Sequence, residues 1–269
     1  MGQQLIDRLI PLLDKVNWPA TEEATEQGRR SFLVGLEKVD AYSGDPNQLT
    51  AALKTFLTGG SQPYAYAGTA YTLVAAAQEA DGSYAPGGLE AAWEWLSQAQ
   101  ELEPDAVEIN MIEPLIYVHN GRLEDARLVL DYLHDLRPSD YYLYRLEVAY
   151  WQAMGDMEQT VEWFGKTAEA ATTVPQRLTA RRHLADFYFE QKMWAEAKDA
   201  YQQAIHFDNS NPLLWHKLSI VHWQLEDVDE AEKCNQQTLR LKDFPAARQL
   251  EEKIKEKKSE GGLFGRLFG

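Results

Sequence analysis

Residues 123–138 read LEDARLVLDYLHDLRP: a helix-like segment with a small residue, Ala126, a bulky one four positions later, Leu130, and a proline, Pro138, at its close. The same pattern lies upstream in 89–104, LEAAWEWLSQAQELEP, with Ala92, Leu96 and Pro104 in the matching places. It returns downstream in 157–170, MEQTVEWFGKTAEA, in 194–208, WAEAKDAYQQAIHFD, and in 228–243, VDEAEKCNQQTLRLKD. The small residues Ala92, Ala126, Thr160, Ala197 and Ala231 are separated by 34, 34, 37 and 34 positions. Self-similarity at a fixed period of this length is the signature of a stacked repeat, because each unit must meet the next in the same way.

Ahead of each segment stands another helical one: 67–80, 108–121, 144–156, 181–192 and 214–227, usually joined to it by a turn such as Asn120-Gly121 or Gly155-Asp156. Each repeat is therefore two helices. A small side chain where they cross lets the axes approach to the short end of the roughly 8–10 Å packing range. The bulky positions continue as Phe164 and Tyr201, and Asn235 breaks the series.

In period and in residues this resembles the tetratricopeptide repeat. Ala67, Gly68, Tyr71, Ala92, Ala99 and Pro104 stand in its register, as do Leu184, Ala185, Tyr188, Ala197, Tyr201 and Ala204, and then Trp215, Leu218 and Ala231. The resemblance implies an all-α fold, a right-handed superhelical solenoid of helix hairpins with capping helices. Pro114 occupies a position that normally takes a small residue, so a kink is expected there. The segment 169–178, EAATTVPQRL, adds three residues between repeats, and DGSYAPGG inserts between the helices of the first clear one.

The expected organisation is an amphipathic capping helix in 1–20, a diverged hairpin in 21–60, an array of about five hairpins in 61–244, a capping helix in 245–260 and a Gly-linked tail in 261–269. The first of these carries Leu5, Ile6, Leu9, Leu12, Leu13 and Val16 around Pro11, and a solenoid needs its first apolar face covered. In the diverged hairpin, Gly44-Asp45 is the expected turn, with Ala51, Ala52, Leu53 and Phe56 facing inward.

Composition narrows the function. The net charge of -16 sets the surface against phosphate backbones, so nucleic acid is not expected as a partner. A single cysteine, Cys234, excludes an internal disulfide and a cysteine-rich zinc site, and fits a reducing, cytoplasmic setting. The start has no secretory cleavage pattern, Ile6 stands where a myristoylation motif wants Ser or Thr, and no window has the length of a membrane span. No phosphate loop, nucleophile elbow or His-Glu-x-x-His occurs, and the six histidines are scattered. No enzyme activity and no cofactor or metal is expected.

What the resemblance implies is binding of a protein or peptide, with the first helix of each repeat lining a concave groove. Carried over, the groove residues are Met111, Leu115, His119, Tyr142, Arg145 and Gln152, then Arg182, Asp186, Phe189, His216, Trp223 and Gln224. Aromatics among Arg and His suit a peptide with acidic and apolar groups. The other reading of Phe189 and Trp223 is core packing. A clamp for chaperone C-termini is not expected, because Asp186 and Ile220 stand where that clamp needs Asn.

The last residues, GGLFGRLFG, change character. The helix of 245–260 is expected to end at Gly261-Gly262. If the following stretch is helical, Leu263, Phe264, Leu267 and Phe268 share one face, with Arg266 off it. Basic side chains outnumber acidic ones here, unlike the rest of the chain. The segment resembles the C-terminal membrane-targeting helix of the Min-system cell-division ATPase. Burying four such side chains yields about 6–12 kcal/mol, and ordering seven residues costs about as much. A single tail is thus a weak anchor. Three targets stay open: a membrane contacted peripherally, a groove on a partner, or the chain's own or a neighbouring solenoid. The function expected is an adaptor that holds a protein partner and is brought to a membrane or assembly by its tail. The alternative is a structural subunit whose tail docks on another copy. The oligomeric state does not follow from the sequence.

Overall fold

The computed structural model describes the backbone of residues 2–79 and 82–268 and the side chains through 259. The chain divides into two compact units, Met1–Ala170 and Ala171–Gly269. The division falls where the repeat spacing lengthens from 34 to 37.

In unit 1, α1 (Gly2–Leu13) precedes four hairpins. These are α2 (Glu26–Asp40) with α3 (Pro46–Thr58), α4 (Gln62–Ala77) with α5 (Gly88–Leu102), α6 and α7 (Val107–Asn110, Ile112–His119) with α8 (Leu123–Leu136), and α9 (Tyr141–Met154) with α10 (Met157–Ala170). Unit 2 holds α11 (Val174–Glu190) with α12 (Trp194–Phe207) and α13 (Pro212–Gln224) with α14 (Val228–Leu241), closed by α15 (Pro245–Phe268). Helices of a pair pack on each other, and successive hairpins stack within each unit. This is the all-α hairpin solenoid that the period requires.

The crossing residues explain the stacking. Ala92, Ala126, Thr160, Ala197 and Ala231 are all buried, with Leu96, Leu130, Phe164 and Tyr201 buried beside them. Asn235 is buried too, but its amide donates to the Ala247 carbonyl at 3.0 Å. Its helix meets the first turn of α15 there instead of another hairpin, so the series changes from apolar to polar at the last repeat.

Pro114 breaks its helix as expected. With no N–H to offer Asn110, four residues back, and a ring that crowds that carbonyl, it divides the helix at Met111 into α6 and α7. By contrast Pro11 sits near the exposed end of α1 and interrupts nothing.

Three expectations are corrected. α1 buries Leu5, Ile6, Leu9 and Leu13 but leaves Leu12 exposed, and it packs on α4 rather than over the first hairpin. Its start is anchored there, where Glu79 Oε1 accepts from the Gln3 N–H at 3.0 Å. Ala51 points to solvent while Ala52, Leu53 and Phe56 face the core. Finally, α15 continues through Gly261-Gly262 to Phe268. A helix already held at its other end extends without a new nucleus, which offsets the roughly 1 kcal/mol that each glycine costs. The side chains of the expected tail anchor, Leu263, Phe264, Arg266, Leu267 and Phe268, lie outside the described residues.

The turns inside hairpins differ between units. Gly121 and Gly155 take left-handed φ angles of 72° and 73°, whereas unit 2 places Lys192 and Glu226 there at 58° and 62°. A residue with a Cβ is strained in that region by about 1–2 kcal/mol. Glu226→Gly should therefore raise the stability of the full chain by about 1 kcal/mol, and Gly155→Ala should lower it by a similar amount. Thermal unfolding of both variants checks the two signs.

Candidate interaction surface

The first helices of unit 1 do not leave an open groove at the positions expected from sequence. Instead α9 reaches across to α2. The Arg145 guanidinium pairs with Asp40, whose other oxygen accepts the Tyr71 hydroxyl of α4 at 2.6 Å. Tyr142 donates its hydroxyl to the Leu33 carbonyl at 3.3 Å. Nearer the start of α2, Glu108 of α6 accepts from Arg29 at 2.7 Å and pairs with Arg137 at 2.6 Å. The contacts therefore follow α2 from its start to its end: Arg29 meets Arg137, just after α8, through Glu108, and Leu33 and Asp40 meet Tyr142 and Arg145 of α9.

The two carboxylates are buried, and Arg145 mostly so. The side chain of Asp40 is 4% exposed and that of Arg145 18%. Burial holds the Tyr71 hydroxyl far above its ordinary range, with the Asp40 charge adding to it. At Glu108 burial pushes the carboxyl up, but the hydrogen bonds of Arg29 and Arg137 outweigh it and the net shift is downward. Arg145 and Tyr142 are consequently spent inside the unit. Met111 is buried in its core and Leu115 partly so. Of the six groove residues expected from unit 1, these four are corrected to internal contacts.

The remaining two lie together. His119 and Gln152 border a depression of about 730 Å³ whose other walls include Tyr84 and Pro86 of the inserted segment and Glu90 of α5. Gln152 is exposed, while the His119 ring lies 4.4 Å from that of Tyr84. Burial lowers the imidazole to about 4, so it is neutral at physiological pH.

In unit 2 the first-helix face is less consumed. Asp186 accepts the Tyr201 hydroxyl at 2.6 Å and the Lys217 ammonium at 2.6 Å, and Lys217 also stands over the Phe189 ring at 5.8 Å. Lys217 and Asp186 keep 39% and 27% of their side chains exposed. Arg182, one turn before Asp186 on α11, is partly buried. Phe189, partly buried, meets Trp194 and Tyr201 edge-on, so part of its ring serves packing. Trp223 belongs mostly to the cap: it packs against Ala231, Leu250 and Ile254, and Lys257 of α15 stands over its ring at 5.1 Å. His216 meets Phe244 at 5.0 Å, and burial lowers its imidazole. Gln224 is exposed. Asp186, Phe189 and Lys217 thus form one patch, Arg182 lies one turn along α11 with its guanidinium 3.1 Å from His183 Nε2, and Trp223 lies outside it.

Lys217 was missed by the family carry-over. The signal was present, because Lys217 lies one turn before Ile220, the residue 34 positions after Asp186. Among the described residues no group of three or more His, Cys, Asp or Glu could hold a metal ion, and no helix is long and apolar enough to cross a membrane.

No family model matches the chain, and no curated protein matches it. Solved structures match in fold. The crystal structure of the APC/C hetero-tetramer Cut9–Hcn1 is 14% identical with a TM-score of 0.57, over 94% of this chain and 46% of that one. Yeast Tom70 is 13% identical with a TM-score of 0.54, over 96% of this chain and 58% of that one. A tetratricopeptide repeat protein from Parabacteroides merdae is 15% identical with a TM-score of 0.46, over 86% and 88%. This chain spans about half the length of the first two. At such identities the likeness shows the fold, a solenoid of tetratricopeptide type.

Two outcomes follow from unit 1. Asp40→Ala leaves the Arg145 charge buried and uncompensated, so a loss of about 3–5 kcal/mol is expected in thermal unfolding. His119 has a folded pKa of about 4 below its ordinary 6.5, so the unfolded state takes up its proton first on acidification. Its contribution is whole above pH 6.5 and is lost as pH falls toward 4, about 3 kcal/mol in all. His119→Gln should flatten that part of the stability–pH curve.

Proposed function

We propose that the chain is a non-enzymatic scaffold or adaptor. It holds a segment of a protein partner against the first-helix face of unit 2 and uses its C-terminal Leu-Phe segment as a second, weaker attachment to a membrane or an assembly. The observation that carries this reading is the patch of Arg182, Asp186, Phe189 and Lys217, where a cation, an anion and a ring face stay partly accessible on adjoining helices. Such a patch suits an extended peptide with an apolar side chain and an acidic one: the ring takes the first, and the guanidinium and ammonium take the second. The neighbouring fold in Cut9 comes from a hetero-tetramer with Hcn1, which supports a protein-binding use of the scaffold.

The weak energetics of the tail support a secondary role. Nearly balanced burial and ordering terms become useful when another contact already holds the molecule in place.

Selection of a random peptide library on the full-length chain should enrich short segments that pair an apolar with an acidic residue. Arg182→Gln combined with Lys217→Gln should reduce that enrichment at least about tenfold, since two charge-assisted contacts are lost. Equal enrichment by the variant would remove the patch from the reading. For the tail, full-length protein and a form stopping at Gly262 are compared in co-sedimentation with anionic vesicles and in light scattering. A difference in either measurement supports the attachment role, and no difference in both rejects it.

A further inference from the structure

The outer face of α8 departs from the other hairpins at two places, Leu128 and Tyr132, and runs on into Leu136. Leu128, Tyr132 and Leu136 stand at i, i+4 and i+8 and are 70%, 55% and 47% exposed. Counting from the crossing residue of each hairpin, the places equivalent to Leu128 hold Glu94, Glu162, Asp199 and Lys233, all charged and all exposed. Those equivalent to Tyr132 hold Gln98, Lys166, Gln203 and Gln237, whereas those equivalent to Leu136 are apolar throughout: Leu102, Ala170, Phe207 and Leu241. A second helix in a stacked hairpin shows this face to solvent, so polar residues are its ordinary content. Three large apolar side chains in one stripe need a cover.

The flank of the stripe says what kind of cover fits. Glu124, Asp131 and Asp135 fall at i, i+7 and i+11, on one edge of it. Asp131 shares Arg127 with the buried Glu147, which leaves the edge acidic on balance. A ligand for this face is therefore a short amphipathic helix with apolar residues one turn apart and basic residues nearby. That description also bears against a symmetric pairing of two α8 stripes, which would set acidic edge near acidic edge.

We infer that the stripe of Leu128, Tyr132 and Leu136 receives the C-terminal Leu-Phe segment of a second copy of this chain. The segment has the required chemistry: apolar residues at 263, 264, 267 and 268 with Arg266 among them, in a chain that is otherwise acidic, while the nearby Lys257 and Lys258 are already held by the Trp223 ring and by Asp229 and Glu232. Its backbone continues α15 as a helix to Phe268. The inference rests on the reading of the tail as an attachment point and names its target. The contact is one-sided, tail to stripe, so copies can be added in series unless two chains exchange tails.

The test uses the full chain, the form stopping at Gly262, and Leu128→Glu with Tyr132→Gln, which restores residue types that the other hairpins carry. The two exposed substitutions should leave the melting temperature nearly unchanged. Light scattering should give the full chain a mass above one copy that rises with concentration, and one copy for each variant alone. Mixing the tailless form with the stripe variant should re-form a one-to-one pair, because one supplies the stripe and the other the tail. A full chain that stays single at every concentration, self-association that survives the stripe substitutions, or a mixture that fails to pair would overturn the inference. If the full chain stays single yet pellets with anionic vesicles through its tail, the stripe is rejected as target and the attachment reading stands. If it does neither, both fail.

Discussion

Each hairpin depends on a side chain no larger than alanine or threonine where its two helices cross. Ala92, Ala126, Thr160, Ala197 and Ala231 are all buried at that crossing, and each has a larger partner one turn on. The close approach they permit fixes how much room Leu96, Leu130, Phe164 and Tyr201 have to fill. It also fixes the period, because a hairpin of different width would not stack on its neighbour. Where the period slips by three residues, near Ala171, the stack divides into its two units.

Stacking alone does not close unit 1, and the groups that do so are charged. Asp40, Glu108 and Glu147 are carboxylates almost without exposed surface. Each is met by groups from elsewhere in the unit: Asp40 by Arg145, Glu108 by Arg29 and Arg137, and Glu147 by Arg127 with the His134 ring nitrogen 2.7 Å away. Burying an ion is expensive unless its partner arrives in the right geometry, so these sites tolerate few alternative arrangements of the hairpins. At Glu147 burial would raise the carboxyl, yet the hydrogen bonds from His134 and Arg127 bring it below its ordinary value. Unit 1 therefore pairs apolar contacts, which set the spacing of neighbours, with ionic contacts, which tie the first hairpin to the last.

That division explains what the sequence disclosed. A small residue every 34 positions is local information, and so is Pro114, whose effect appears within one turn at Met111. The meeting of Asp40 with Arg145 is not local: it spans 105 positions and depends on curvature accumulated over four hairpins. No periodicity announces it, which is why Tyr142 and Arg145 read as groove residues and proved to be internal. Lys217 was more legible, since it needed only the repeat length and one helical turn. Asn235 was legible as an exception, and its meaning required seeing the Ala247 carbonyl.

A chain with a net charge of -16 repels its own copies at long range, and this shapes what its surface can recognise. At physiological salt that repulsion decays over about 8 Å, so association is decided by what lies within a few residues of the contact. A partner segment at Arg182 and Lys217 would meet two cations before the wider acidic surface acts on it. The α8 stripe presents the opposite local sign, and few short stretches of this chain could satisfy both its apolar content and its acidic edge. The basic Leu-Phe end satisfies both. On an acidic protein, placing the basic residues next to the apolar ones at the terminus separates this contact from the one that unit 2 offers, because each surface favours a ligand of opposite charge.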